Sequence, residues 1–470
     1  MRRSPLVLAL ALAVLPVAGA HAEDLLQTYE LARTGDPQLA GAEATQRATR
    51  EGAVQARAAL LPQIGADASY TRSHSDSSGT QVFGTTLFPS DSTQDSTSKD
   101  YGLSVDQALF DYSRISQLRS QRALSRASEF QLRSAGDTLI TRTSAAYFSV
   151  LVGIETLTAA EASEAALKKQ FDFASKRLEV GLAPITDVHE ARAQYDNARA
   201  NTIVTRNALE DAYQALAEIT GKPIHDLRSL PADFQPQLPE KGDADAWVVD
   251  ALGQNPALQA QAYQVKSAEA NVESARGGHL PTLYLNGTYG DRRSNGTSTD
   301  NLDQSETDFE NRNKSRSIGV TLRVPIFSGG ATQSQVRQAL AQRDLAQDDY
   351  EQQKRALERS TRNAYQTLVA GISEIEARRL ALVSAQSAYD ASQVGLEVGT
   401  RTVLDVLTNQ QNLFNAQREY ARARYNFLQN RLLLEQAAGT LDIGDVQDVN
   451  RLLTADAESK LAPTDIKPTR

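Results

Sequence analysis

Apolar residues along this chain switch between a period of two and a helical period, and the switches recur about 218 residues apart. The period-two runs come in pairs. In the first pair Ile64, Ala66, Ala68 and Tyr70 alternate with Gly65, Asp67, Ser69 and Thr71, and Tyr101, Leu103 and Val105 alternate with Gly102, Ser104 and Asp106. In the second, Leu283, Leu285 and Tyr289 alternate with Asn286 and Thr288, and Ile318, Val320, Leu322, Val324 and Ile326 alternate with Ser317, Gly319, Thr321 and Arg323. These runs predict four strands, each with one apolar and one polar face. Ser73 to Asp100 and Ser294 to Lys314, rich in Ser, Thr, Asp, Asn and Gly, predict long loops joining the strands of each pair.

Helical spacing fills most of the remainder. Gln38 to Leu60 and Ala257 to Arg276 read as helices stopped at a proline, and proline-free helices of unusual length follow the strands, Tyr112 to about Val180 and Ala331 to about Val398. At about 1.5 Å per residue each long helix reaches roughly 100 Å, more than a globular domain buries, so it belongs to a coiled-coil or helical-barrel assembly. The shorter partner helices carry the seam. A 3-4 spacing runs through Val188, Ala191, Tyr195, Ala198, Thr202, Thr205, Leu209, Ala212, Leu216 and Ile219, and the frame moved by 218 selects Val406, Leu413, Ala416, Tyr420, Ala423, Phe427, Leu434 and Ala437. A second stripe, Leu404, Leu407, Phe414, Ala421, Tyr425, Leu428 and Leu432, predicts that the last long-seam helix packs on two sides. Short helices are expected at Ala244 to Gly253 and Val446 to Leu453, and Ala457 to Arg470 reads as a polar, mobile tail.

The duplication sets the expected boundaries: 1–22 a signal peptide, 23–221 a first repeat, 222–255 a proline-marked linker, 256–440 a second repeat, and 441–470 a C-terminal segment with the tail. The signal reading rests on Arg2 and Arg3, an apolar run from Leu6 to Val17, and Ala20-His21-Ala22 as a cleavage site, so the mature chain is expected to begin at Glu23. Losing two arginines takes the net charge from −9 to −11, which argues against a nucleic-acid partner, and lysines and arginines look scattered rather than massed. There is no cysteine, hence no disulfide framework, thiolate metal site or lipidated cysteine. No metal or cofactor is expected. After the signal no apolar stretch approaches the roughly 18 residues of a membrane-spanning helix, so a bilayer would be crossed by strands.

Strands of about ten residues with one apolar and one polar face suit a water-filled outer-membrane barrel, although a soluble hairpin on a core has the same alternation. Four strands cannot close a barrel, and lipid leaves exposed edges unsatisfied. The chain is therefore expected to oligomerise, three copies giving twelve strands; two would give eight, too narrow for an open lumen.

The turns that separate long and short helices carry a further signal. "EVGLAPITDVHEARAQYD" and "VGTRTVLDVL…NAQREYARARYNFL…AAGTL", together with the export signal and the duplicated helix-strand-loop-strand-helix unit, resemble the TolC family of outer-membrane efflux proteins over essentially the whole mature chain. The resemblance implies a mixed α/β membrane protein: a homotrimer with a twelve-stranded outer-membrane β-barrel, four strands per chain, continued by a long periplasmic α-helical barrel. It implies that 222–255 and 441–470 are equatorial, and that the protein is a passive exit duct of tripartite drug efflux or type I protein secretion. Its partners would be outer-membrane lipid, a periplasmic adaptor and an inner-membrane efflux pump or ABC-type secretion transporter.

The same resemblance assigns site residues. Gly181, Leu182, Gly399 and Thr400 would form adaptor-docking tips, with glycine permitting the reversals. Thr186 and Asp187 would meet Arg401 in a bridge that holds the periplasmic end shut. On local grounds alone, Thr186 is a helix cap and Asp187 a first-turn carboxylate, and these roles can coexist with the bridge. Asp405 would belong to an acidic ring at the pore constriction, or is simply a solvated first-turn carboxylate. The chain departs from the family pattern at Thr408, where a second aspartate is usual, and at Leu396, in place of a tyrosine that supports the bridge. A ring of three charges rather than six, weaker cation selectivity and greater reliance on Arg401 follow.

Two other classes of function fit the sequence less well. An enzyme would need a convergent cluster, whereas His21, His74, His189, His225 and His279 are isolated and none has H-x-x-x-H spacing. A coiled-coil stalk or adhesin of the cell envelope would account for the long helices, but not for alternating strands at matching repeat positions.

Overall fold

The computed structural model describes residues 24–83, 85–239 and 242–461; the expected signal peptide and the residues beyond 461 lie outside them. In chain order the elements are α1 (Leu25–Gly35), α2 (Pro37–Ala58), β1 (Gln63–Phe83), β2 (Thr86–Phe110), α3 (Tyr112–Glu179), α4 (Ile185–Thr220) and β3 (Arg228–Ser229). They continue with α5 (Ala244–Gln254), α6 (Pro256–Gly277), β4 (Thr282–Asp300), β5 (Ser305–Arg323), α7 (Ala331–Glu397), α8 (Val403–Ala438), α9 (Ile443–Leu452) and β6 (Ala455–Asp456). The order α1-α2-β1-β2-α3-α4 returns as α5-α6-β4-β5-α7-α8. Helix α1 was not anticipated from the sequence. It is short and starts two residues after Glu23, yet Asp24 and Gln27 form a capping box and Leu25, Thr28, Tyr29 and Ala32 bury one face.

Packing cuts across the repeats. Among the described residues, one compact unit comprises those up to Gly41, those between Arg133 and Asn255 and those from Ala356 onward; the other comprises those between Ala42 and Leu132 and Pro256–Arg355. Each repeat supplies segments to both, so the repeat is a unit of sequence and topology rather than of burial.

The second unit holds a four-stranded antiparallel sheet in the order β1-β2-β4-β5. Ile64 lies opposite Val105, Ala66 opposite Leu103, Leu103 opposite Tyr289 and Leu285 opposite Val320, which places the predicted apolar positions of all four strands on one face. Among the described residues no element packs on that face: Ile318 is 82% exposed and Ile64 71%. On the opposite face Asn286 donates to Asp106 at 2.6 Å, and the Thr288 and Ser317 hydroxyls bond at 2.6 Å. A sheet with bare Ile and Tyr on one side and hydroxyls and amides on the other matches lipid against water.

The expected long loops are instead strands. β1 and β2 stay paired from Gln63 opposite Asp106 out to Phe83 opposite Thr86, and β4 and β5 from Thr282 opposite Arg323 to Asp300 opposite Ser305. Both faces of these outer halves are polar, so no alternation marks them in the sequence. Cross-strand pairs hold them: Ser73 to Ser96 at 2.7 Å, Thr93 to Asp76 at 2.8 Å and Thr297 to Asp308 at 2.7 Å. At 19 to 25 residues the strands are about twice the 9 to 11 needed to cross a bilayer. Only the apolar-faced halves fit that span.

The first unit contains the hydrophobic core, built from α1, α4, α5, α8, α9 and parts of α3 and α7. Both predicted stripes of α8 are buried, with Phe427 and Leu434 on one and Tyr425, Leu428 and Leu432 on the other; only Leu404, at the tip, is exposed. Part of α3 proves long and apolar enough by composition to cross a membrane, contrary to the sequence expectation. Its apolar side chains, among them Leu139, Val150, Leu151 and Ile154, lie in this core. The expected tail is corrected at its start, Ala457 to Leu461; the rest of it lies outside the described residues. Ala455–Asp456 pairs with Arg228–Ser229, Ala457 is buried, and its N–H donates to the Leu227 carbonyl at 2.9 Å.

Candidate functional site

Each long helix ends in the same turn. At the end of α3 the Leu182 N–H bonds to the Arg177 carbonyl at 2.8 Å and the Gly181 N–H to the Leu178 carbonyl at 3.0 Å. At the end of α7, Thr400 bonds to Gly395 at 2.8 Å and Gly399 to Leu396 at 3.2 Å. Both are Schellman closures, which need a left-handed residue after the last helical turn. Gly181 (φ +75°) and Gly399 (φ +81°) supply it. Val180, Leu182, Ile185, Val398 and Leu404 stand exposed around the two turns.

The following helices begin differently. Pro184 is the N-cap of α4 and provides no side-chain acceptor, so Thr186 is the second helical residue and not the expected cap. Its hydroxyl donates to Asp187 at 3.5 Å, and Asp187 sits in the first turn, near the positive end of the helix dipole. On α8, Thr402 is the cap: its hydroxyl accepts from the Asp405 N–H at 3.2 Å, while the Asp405 carboxylate accepts from the Thr402 N–H at 2.9 Å and its hydroxyl at 2.9 Å. Those hydrogen bonds, helped by the charge of Arg401, hold the Asp405 carboxyl below its usual value of 3.8.

Asp187 and Arg401 face a common cleft of about 860 Å³, walled also by Arg177, Leu396, Thr402 and Leu404. No ion pair joins Asp187 to Arg401 within the chain. A Cβ on Gly395 would come within 2.6 Å of Arg401 Cγ, so the aliphatic stem of Arg401 lies across that glycine and keeps the guanidinium beside the start of α8. Leu396 therefore lines the cleft next to Arg401, as its position suggests. The Thr408 hydroxyl is turned back to the Leu404 carbonyl at 2.9 Å and brings no charge.

Sequence reasoning missed Glu435. It is 5% exposed near the end of α8, and burial, reinforced by the charge of Asp445, pushes its carboxyl from 4.5 up to about 8. Arg431 lies 3.4 Å away and acts in the opposite direction, but loss of water outweighs one partner. The signal was present: Glu435 falls three residues after Leu432 and seven after Leu428, on the second apolar stripe of α8.

Comparison with known proteins accords with this arrangement. The family model described as "Outer membrane efflux protein" matches residues 28–222 and 247–440. The outer membrane protein TolC of Escherichia coli is 34% identical over 439 residues, covering 92% of this chain and 86% of that one. The alkaline protease secretion protein AprF of Pseudomonas aeruginosa is 31% identical over 430 residues, covering 91% and 87%. The outer membrane protein VceC of Vibrio cholerae superposes with a TM-score of 0.69 at 21% identity, covering 88% of this chain and 96% of VceC, and shares its fold. With its family model spanning both repeats, this chain belongs to the outer membrane efflux protein family.

Proposed function

We propose that three copies of this chain form a passive outer-membrane exit duct that is closed at its periplasmic end until an adaptor and an inner-membrane transporter recruit it. The protein resides in the outer membrane and, like its family, is a channel rather than an enzyme. One observation carries the trimer. The four-stranded sheet turns a bare apolar face outward, and no strand among the described residues pairs with the outer edge of β1 or β5. Lipid cannot solvate such edges. Pairing β5 of one copy with β1 of the next closes twelve strands around the hydroxyl- and amide-lined face, wide enough for water.

The gate follows from the cleft at the tips. Asp187, with the Thr186 hydroxyl on its carboxylate, presents an acceptor to it and Arg401 a donor, but the Gly395 contact holds Arg401 against the end of α7. In a trimer the guanidinium would meet Asp187 of a neighbouring copy, the bridge being made between chains. Three Asp405 carboxylates around the axis would favour cations while remaining bound to their caps. Exposed Leu182, with Gly181, Gly399 and Thr400, gives an adaptor an apolar landing at the tips. The duct lining sets no cargo chemistry, so small molecules or an unfolded protein, as the secretion relatives suggest, could pass.

Planar-bilayer recording tests this reading. The wild type should give small steps of one size, and replacing Asp187 with Ala together with Arg401 with Ser should enlarge them several-fold. No discrete steps from the wild type would remove the duct; an unchanged pore in the double variant would remove the gate.

A further inference from the structure

The arginines that look scattered in sequence converge in the second unit. A groove of about 580 Å³ runs between α3, α6 and α7, and Arg119, Arg122 and Arg126 enter it from α3, Lys266 and Arg276 from α6, and Arg343 from α7. Only two carboxylates, Glu269 and Glu273, line it, so six cations minus two anions leaves an excess of four positive charges. The residues of α3 lie three and four apart, on one helix face.

Part of this charge is answered internally. Arg126 pairs with Glu129 at 2.7 Å, Arg276 with Glu273 at 2.7 Å and Arg343 with Asp344 at 2.5 Å, and the Lys266 ammonium lies 4.4 Å from the centre of the Tyr263 ring; Glu129 and Asp344, outside the lining, cut the excess of four to two. Arg119 and Arg122 are exposed and, among the described residues, neither makes a side-chain hydrogen bond or ion pair. Like charges gathered without partners repel, and a cleft walled by low-dielectric helices concentrates their field.

Position narrows the ligand. The apolar face of the sheet ends at Phe110 and Leu283, α3 starts at Tyr112 and α6 stops at Gly277. At 1.5 Å per residue, Arg119 is about 10 Å and Lys266 about 16 Å from those helix ends, while Arg276 is at the end itself. The headgroup layer of a bilayer occupies roughly 5 to 7 Å beyond its hydrocarbon. Arg276 thus lies at the depth of membrane phosphates, while Arg119, Arg122 and Lys266 lie beyond that layer on the periplasmic side, where a free phosphate or a headgroup lifted into the groove would meet them, and guanidinium groups take phosphate oxygens two at a time.

We infer that this groove binds a phosphate-bearing group, through Arg119, Arg122 and Lys266, presented either by an anionic lipid headgroup or as free phosphate. The groove would do so whether or not the tips gate as described above. Bound phosphate would relieve the repulsion among Arg119, Arg122 and Lys266, between α3 and α6.

The test uses the intact protein in nanodiscs, with native mass spectrometry and a titration of bound phosphatidylglycerol against a phosphatidylcholine background. In the wild type, phosphatidylglycerol should be retained above its share of the bilayer. Replacing Arg119 and Arg122 with Gln should weaken retention roughly tenfold or more, since each lost contact is a charged one. Arg379→Gln, which removes an arginine already paired with Glu376 on α7, should leave it unchanged. A second arm titrates inorganic phosphate in purely zwitterionic discs: saturable binding lost in the double variant there, without lipid retention, would assign the groove to free phosphate. Wild-type conductance in the double variant would confirm that it folds. Equal retention by wild type and double variant with no phosphate binding in either, or losses matched by Arg379→Gln, would overturn the assignment.

Discussion

Replacing Glu435 with Gln should make the join between α8 and α9 more stable above neutral pH and leave it unchanged in acid. The carboxyl is buried, one of its oxygens has no hydrogen-bond partner, and Asp445 beside it is tied into the N-terminal capping box of α9. Its proton is therefore bound more tightly in the folded chain than in the unfolded one, where a glutamate titrates near 4.5. The sign follows: stability is greatest below 4.5, declines as pH rises and levels off above about 8. The gap from 4.5 to about 8, at roughly 1.4 kcal/mol per pH unit, bounds the loss at on the order of 5 kcal/mol, of which about 3 is felt by pH 7. Gln removes the charge, keeps the shape and still offers an oxygen to Arg431. Hydrogen exchange of the α9 amides, corrected for intrinsic rate, measures the local opening energy between pH 5 and pH 9. The wild-type value should fall by several kcal/mol across that range, and that of Glu435→Gln by less than 1 kcal/mol. Parallel pH profiles for the two proteins, or a variant that is weaker at pH 9, would refute the assignment of a buried neutral acid.

Other expectations concern the tips and the core. Gly395→Ala places a methyl against the stem of Arg401 and should displace the guanidinium, raising single-channel conductance toward that of the Asp187 and Arg401 double variant without touching either bridging group. Asp405→Asn should lower the cation-to-anion permeability ratio at neutral pH. Because the Thr402 hydrogen bonds hold the Asp405 carboxyl below 3.8, wild-type selectivity should persist to lower pH than in Thr402→Ala, whose loss of a cap should also cost α8 about 1 kcal/mol by exchange at Val403 to Val406. Tyr147→Phe removes a buried hydroxyl that accepts from the Arg228 N–H and donates to the Arg228 carbonyl, both at 2.9 Å. Two stranded backbone groups should lower the thermal midpoint, at a cost of roughly 2 to 4 kcal/mol.

What could be read without coordinates depended on whether a residue's neighbours were of one kind or two. The long helices and their partners were legible to within a residue or two because no proline interrupts them and because each face of α4 and α8 keeps one character for ten turns. The apolar halves of the strands were legible for the same reason. Their outer halves were not, since Ser73, Thr93 and Thr297 belong to ladders whose two faces both meet water, and alternation is the trace of a difference between faces. The tips show the same limit on a smaller scale. Glycine before a "TDV" or "LDV" marks a reversal, but not that proline caps one helix and threonine the other. The consequence is functional. With no side-chain cap on α4, the Asp187 carboxylate keeps only the long bond from the Thr186 hydroxyl and faces the cleft, whereas the capping box on α8 commits one oxygen of Asp405 to its own helix. The two first-turn aspartates occupy equivalent places in the duplication, and the cap residue before each decides whether its carboxylate is available to an arginine from outside or held in place as fixed charge.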